Sequence, residues 1–422
     1  MAAIGKSEGR AARGLRRLPQ YVPPEDERNR RSYSKEERRQ RRAKKFKLLS
    51  LGTGLDMPLF IFIMVLLAIG LVMLFSASYA YSYYTEGGNS YYYIQRQGIF
   101  AIVGVIAMLL ISTFDYHRFH RIAPLLYVVA MVLLVMVLAF KGTSIAPMEG
   151  DANRWLQLGP INFQPSEVAK FALITLCAHY ISQYIDKMGT FRYGVAHFAW
   201  MIGIPAALIY AENHLSATII VLGLGAILMF LGGTKLRYFG AVGILAAVAL
   251  IFLVTSKGGY QMDRINGWWH PFNPPPGVDT WQTRQSLYAI GSGGLLGVGL
   301  GQSRQKYLYL PEPQNDFIFA IVCEELGMVG ALVIIILFSL LIWRGMYVSL
   351  HAKDKFGMLL GLGITFQIGI QAVLNICVVT NTLPNTGISL PFFSYGGTAL
   401  LMLLGEMGVL LNISRSATVE KT

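Results

Sequence analysis

The stretch KGGYQMDRINGWWHPFNPPPGVDTW (257–281), which continues through GSGGLLGVGLGQSRQKYLYL (291–310) into PEPQNDFIFAIVCEELG (311–327), is the one long polar interval in a chain of apolar runs. Its last segment passes from an acidic loop straight into an apolar helix, which puts Asp316 where water meets hydrocarbon. A connection of roughly sixty residues is far above ordinary loop length, so it is expected to be functional or partly ordered rather than passive.

On both sides of it the apolar runs are long enough to cross a bilayer, which takes about 20 residues. With 54% hydrophobic and 14% charged residues among 422, the expected fold class is an all-α polytopic membrane protein. Ten spans are expected, near 57–78, 97–114, 121–140, 165–186, 195–210, 215–232, 236–256, 317–346, 357–380 and 391–413, with the large loop between the seventh and eighth. Residues 51–415 then form one membrane domain, and 416–422 a short tail. His117, Arg118, Lys187, Arg192, Lys235, Arg237, Lys353 and Lys355 follow even-numbered spans, whereas the loops after spans one, five and nine carry almost no cations. The positive-inside rule therefore puts both termini in the cytoplasm and the loops 141–164 and 257–316 outside.

The net charge of +13 does not imply nucleic acid. Residues 1–50 hold 16 Lys and Arg against 6 Asp and Glu, so most of the excess is a basic, disordered tail beside the first span. No basic-aromatic surface accompanies it. Cys177, Cys323 and Cys377 all lie in apolar runs, without CxxC or His/Cys metal spacing, and read as buried thiols. The first apolar run begins near Met57 and is too long for a signal peptide, so it is expected to stay as an anchor. No HExxH or GxSxG occurs, and GSGGLLGVGLG follows no strand, so its glycines point to close backbone packing or a re-entrant turn. No metal site is predicted and no cofactor is required; a divalent cation is compatible with the carboxylates but is carried by no motif.

Four polar constellations remain at the outer boundary. In NRWLQLGPINFQPSEVAK, Arg154 and Trp155 lead through a helix-starting Pro165 to Glu167 and Lys170, which at i, i+3 share a helix face. They are either an ion pair shielded from lipid or a polar cavity wall. AENHLSAT (211–218) reads equally as a helix cap or as ligand contact. The long loop holds Arg264, Trp268, Trp269, Gln305, Lys306, Glu312 and Asp316, carboxylates beside amides and aromatics as in a sugar-binding cleft; its tryptophans also fit an aromatic belt, and Asp316 also fits a helix N-cap. In NTLPNTGISLPFFSYGGTALL (381–401), which contains Ser394, two prolines and Gly396-Gly397 break the helical pattern, so exposed backbone must find partners in protein or a water-filled cavity.

Together FSAS (75–78), NRWLQLG (153–159), FQPSEVAK (163–170), the run from Gln285 to Ala320, EELG (324–327) and LPNTGISLPFFSYGGT (383–398) resemble the SEDS family (shape, elongation, division and sporulation). The likeness runs from about Asp56 to Arg415 and is closest to the FtsW/SpoVE branch. It implies a peptidoglycan glycosyltransferase that polymerises lipid II outside the bacterial cytoplasmic membrane, at the division septum, with a class B penicillin-binding protein and other division proteins as partners. The acid at Asp316 is then the catalytic residue, a general base on the acceptor sugar hydroxyl. Arg154, Lys170 and Arg264 are diphosphate contacts, and Trp155, Glu167, Gln305, Lys306, Glu312 and Ser394 complete the substrate contacts. Gln314-Asn315 stands where the family has His-Thr or Gln-Thr, and the loop from Asn266 to Leu287 departs from the family pattern. Two other functions fit the same cavity polarity: a lipid II flippase, and a scaffold that recruits the penicillin-binding partner.

Overall fold

The computed structural model describes residues 54–147, 153–159, 161–240 and 260–417. Among them the chain forms eleven α-helices, with one two-stranded hairpin: α1 (Met57–Thr85), α2 (Tyr92–Ile111), α3 (His117–Ala139), β1 (Leu156–Leu158), β2 (Ile161–Phe163), α4 (Pro165–Tyr184), α5 (His197–Ala211), α6 (Leu215–Leu231), α7 (Tyr260–Trp269), α8 (Trp281–Gly293), α9 (Ile318–Leu350), α10 (Lys355–Val379) and α11 (Gly397–Ser416). In lipid every backbone polar group must be satisfied internally, which is why the apolar runs among the described residues are helical.

Seven segments are long and apolar enough to cross a bilayer by themselves: α1, α2, α3, residues 192–211, α9, α10 and α11. Nine of the ten expected spans fall on helices. The other, 236–256, lies almost wholly outside the described residues, as do the tail 1–50 and residues 418–422. α4 is the least apolar span because its polar side chains turn inward. All its residues from Pro165 to Ala178 except Glu167 are buried.

Local sequence sets the helix starts. Asp56 caps α1, accepting from the Leu59 N–H at 3.0 Å while also pairing with Arg344 at 2.8 Å. Asp354 caps α10 through the Gly357 N–H, and Pro165 opens α4 as its fixed φ favours. α1 runs seven residues past its expected end because YAYSYYT continues the helix.

The long loop is ordered as α7, α8 and a glycine-rich turn packed into a break in α9. At Gly327 the backbone takes φ 67°, ψ −170°, a conformation closed to side-chain-bearing residues. A Cβ on Gly327 or on Gly297 would overlap the other strand's backbone. The carbonyls freed by the break are met in register: Val298 N–H donates to Glu324 O at 2.9 Å and Gly299 N–H to Glu325 O at 3.0 Å, while Met328 N–H donates to Gly294 O at 3.0 Å. This is the close backbone packing that the glycine pattern predicts.

Candidate active site

Between α10 and α11 residues 381–396 are irregular, and they wrap around the start of α9. Three consecutive carbonyls there accept hydrogen bonds. Gln314 O accepts from Tyr395 N–H at 2.9 Å, Asn315 O from the Ser394 hydroxyl at 2.7 Å, and Asp316 O from Asn375 Nδ2 at 2.7 Å. Asn375 Nδ2 also donates to Ile388 O, so one buried amide of α10 joins both irregular segments. The N-cap of α9 is Phe317 and no side chain caps it. Asp316 is therefore not the helix cap that its position in sequence suggests, and its carboxylate faces a cavity.

That cavity is about 290 Å³. Of the ten residues expected at a site, it brings together Arg154, Trp155, Glu167, Lys170, Glu312 and Asp316. On one wall Lys170 Nζ lies 2.9 Å from Glu167 Oε2 and 3.2 Å from Gln371 Oε1, so the ion pair and the cavity wall are the same pair of residues. The β1–β2 hairpin, paired Leu156 to Phe163, carries Trp155 and Arg154 over the cavity, and Arg154 Nη2 donates to Asn213 O at 3.2 Å. The Ser216 hydroxyl, at 2.7 Å from Thr386 O and 3.0 Å from Gly387 O, pins the irregular segment on the far side.

Electrostatics separate the acids. Burial pushes the Asp316 carboxyl up to about 6, with Arg154 pulling it down and Glu312 raising it. Glu212 is buried with neither carboxyl oxygen hydrogen-bonded, and burial pushes it up to about 9 against the pull of Arg154. It is a neutral acid at pH 7, whereas Asp316 is largely ionised. His214, on the cavity wall, is held well below the usual imidazole range by burial, then by Arg154 and Lys170, so it is uncharged.

Four expected contacts are not brought to the cavity. Lys306 is sealed away: its ammonium sits 2.9 Å from Glu325 Oε1, 2.7 Å from Gly301 O and 3.2 Å from Ser76 Oγ. A lysine cannot be buried this fully without such partners, and FSAS and EELG supply them. Gln305 lies in the same turn, its N–H 3.4 Å from Glu324 Oε1. Arg264 donates to Asn385 O at 3.0 Å and Trp268 Nε1 to Asn381 O at 3.0 Å, so α7 braces the irregular segment. Ser394 acts on Asn315 as described, holding backbone in place.

The sequence reasoning missed Arg96, Gln371 and Tyr395, all on the cavity wall, and Asn375 behind it. Each is a polar side chain in or beside an apolar span, a signal that was readable. Among the described residues no group of three or more His, Cys, Asp or Glu is arranged to hold a metal ion.

The cell cycle protein family model of FtsW, RodA and SpoVE matches residues 57–419. The chain is 39% identical over 327 residues to stage V sporulation protein E of Bacillus subtilis (strain 168), covering 78% of this chain and 88% of that protein. It is 37% identical over 328 residues to the probable peptidoglycan glycosyltransferase FtsW of Geobacter sp. (strain M18), covering 77% and 88%. Among solved structures it is similar to the rod shape determining protein RodA of Thermus thermophilus, with TM-score 0.63 at 24% identity over 87% of this chain and 99% of that one. A chain of a peptidoglycan synthase complex matches at TM-score 0.71 and 24% identity, over 86% and 98%. The chain thus belongs to the FtsW/RodA/SpoVE family of cell cycle proteins, and is a polytopic membrane protein with that family's fold.

Proposed function

We propose that the protein is a peptidoglycan glycosyltransferase that polymerises lipid II at the outer face of the bacterial cytoplasmic membrane during cell division, with Asp316 as its general base. The observation that carries the proposal is the pairing of one ionised, partly desolvated carboxylate with cationic side chains across a single cavity. Glycosyl transfer needs a base to take the proton from the attacking 4-hydroxyl and positive charge to receive the departing diphosphate. Asp316, held up to about 6, is a stronger base than an ordinary carboxylate yet still ionised at neutral pH. As the acceptor oxygen bonds to the anomeric carbon of the donor sugar, its proton passes to Asp316. The bond to undecaprenyl pyrophosphate breaks, and its charge meets Arg154 and Lys170.

In this reading the cavity, the hairpin and the 257–316 loop are extracytoplasmic, both termini are cytoplasmic, and a class B penicillin-binding protein is the membrane partner at the septum. The relatives named as probable peptidoglycan glycosyltransferases support the activity. The test is polymerisation of lipid II by the purified protein with its partner. Glycan strands from wild type and none from Asp316→Asn are expected. Lipid translocation without polymer would replace this reading with a flippase, and neither activity would leave a scaffold.

A further inference from the structure

Beside the cavity mouth α1 and α2 end and begin in YAYSYYTEGGNSYYY (79–93), which holds seven tyrosines. Tyrosines near a membrane surface ordinarily form the aromatic belt, and Tyr83, Tyr84 and Tyr91, more than half exposed, fit that role. Tyr81 and Tyr93 do not, and with them goes Tyr395 of the irregular segment. Tyr395 lines the cavity, Tyr93 meets it edge to face at 4.8 Å between ring centroids, and Tyr81 follows Tyr93 at 6.0 Å. All three are half-buried, turned toward protein. Glu312, which lines the cavity, interacts electrostatically with Tyr81. Arg96, on the cavity wall, lies over the ring of Tyr92 at 4.7 Å.

Depth alone does not separate the row from a belt; the contacts of its rings do. α1 has 29 residues, about 43 Å of helix at 1.5 Å per residue, against a hydrocarbon core of about 30 Å. A helix of this length outruns the hydrocarbon by about two turns, which brings its end to headgroup level. Half-buried rings in line with a cavity offer flat apolar faces with polar tips, which is what the C–H faces and hydroxyls of pyranose rings require. The two centroid separations, 4.8 and 6.0 Å, let the row follow more than one sugar ring of a linear glycan.

We propose that Tyr395, Tyr93 and Tyr81 form a saccharide-binding track that guides a linear glycan between the cavity and the solvent, with Arg96 and Glu312 at its rim. The ligand class rests on the glycosyltransferase reading above. The track does not require Asp316 to react, so it is testable by binding alone.

The probe is a lipid-free, linear peptidoglycan tetrasaccharide titrated onto the full-length protein in detergent. Wild type is expected to bind it, Tyr81→Leu and Tyr93→Leu about tenfold more weakly, and Tyr81→Phe and Tyr93→Phe within about threefold of wild type, since the stacking face is kept. Tyr83→Leu, an exposed ring off the row, is expected to bind as wild type does. No binding by wild type, unchanged binding by the Leu variants, equal losses in the Leu and Phe variants, or an equal loss in Tyr83→Leu would each overturn the track. Loss of binding in the row variants from a protein that makes no polymer would keep the track and discard the polymerase.

Discussion

Gly387 lies so close to Asp316 that a methyl group built on its α-carbon would stand 3.1 Å from Asp316 Oδ2 and 3.9 Å from Arg154 Nη1. Its φ of +70° adds a second reason for glycine. Gly387→Ala is expected to lower polymerisation at least about tenfold, because it displaces the carboxylate as well as straining the backbone by roughly 1–2 kcal/mol. Gly277→Ala is the control: its φ is +87° with nothing within 4 Å, so it shares the strain and should keep activity. Equal activity in the two variants would remove Gly387 from the site.

Asp316→Asn separates catalysis from stability. Since Phe317 rather than Asp316 is the N-cap of α9, the exchange costs no cap, and polymerisation should fall by about 10²–10⁴-fold. Thermal stability should rise instead of falling. The folded carboxyl, near 6 against an ordinary 3.8, disfavours its own ionisation. That penalty is absent below about pH 4, where both states are protonated, and complete above about pH 7. A detergent melting curve at pH 7.5 checks the direction, and Glu312→Gln, exposed at the rim, should retain most activity.

The pH dependence of turnover follows from the same group. A base must be deprotonated, so the rate should rise with pH through about 6 and reach a plateau above it. A profile flat from pH 5 to 8 in single-turnover measurements would mean that the carboxylate takes no proton.

Lys306 should behave as a structural residue. Its side chain is 3% exposed and that of Glu325 is fully buried, so Lys306→Met leaves an uncompensated carboxylate, at a cost of about 3–5 kcal/mol. Membrane levels and melting temperature should drop sharply, and Lys306→Met with Glu325→Gln should recover much of the loss. Normal stability with lost activity would return Lys306 to the substrate contacts.

Sidedness is checked by labelling. Gly277→Cys, in open space between α7 and α8, should react with a membrane-impermeant thiol reagent on intact cells, while Lys235→Cys should not. The reverse pattern would place Asp316 on the cytoplasmic side.

The span pattern was legible because hydrocarbon imposes one solution, the helix, on each apolar run. The start of α4 could be read from Pro165, and the place of Asp316 on the cavity from a carboxylate at a loop-to-span boundary. What sequence could not separate was the two uses of a buried cation. Lys170 and Lys306 look alike in sequence, each a lysine near an acid, but only the tertiary path of α1 shows that Ser76 and Glu325 close around Lys306. Gln371 and Asn375 are hidden in the sequence because they sit inside a run whose apolar count already makes it a span. Gly387 was invisible for the opposite reason, since its role depends on which atoms approach it.

The break at Gly327 leaves residues 318–326 as a short lever about 13 Å long, with Asp316 just beyond its tip and the hydrogen bonds to residues 294–299 as its fulcrum. A tilt of only about 4° at that fulcrum carries the carboxylate through about 1 Å, a displacement that can cost a reaction about 10²-fold. Leu295, Leu296 and Leu300 are exposed on the turn that forms the fulcrum, so the turn that positions the start of α9 presents an apolar surface on its outer side.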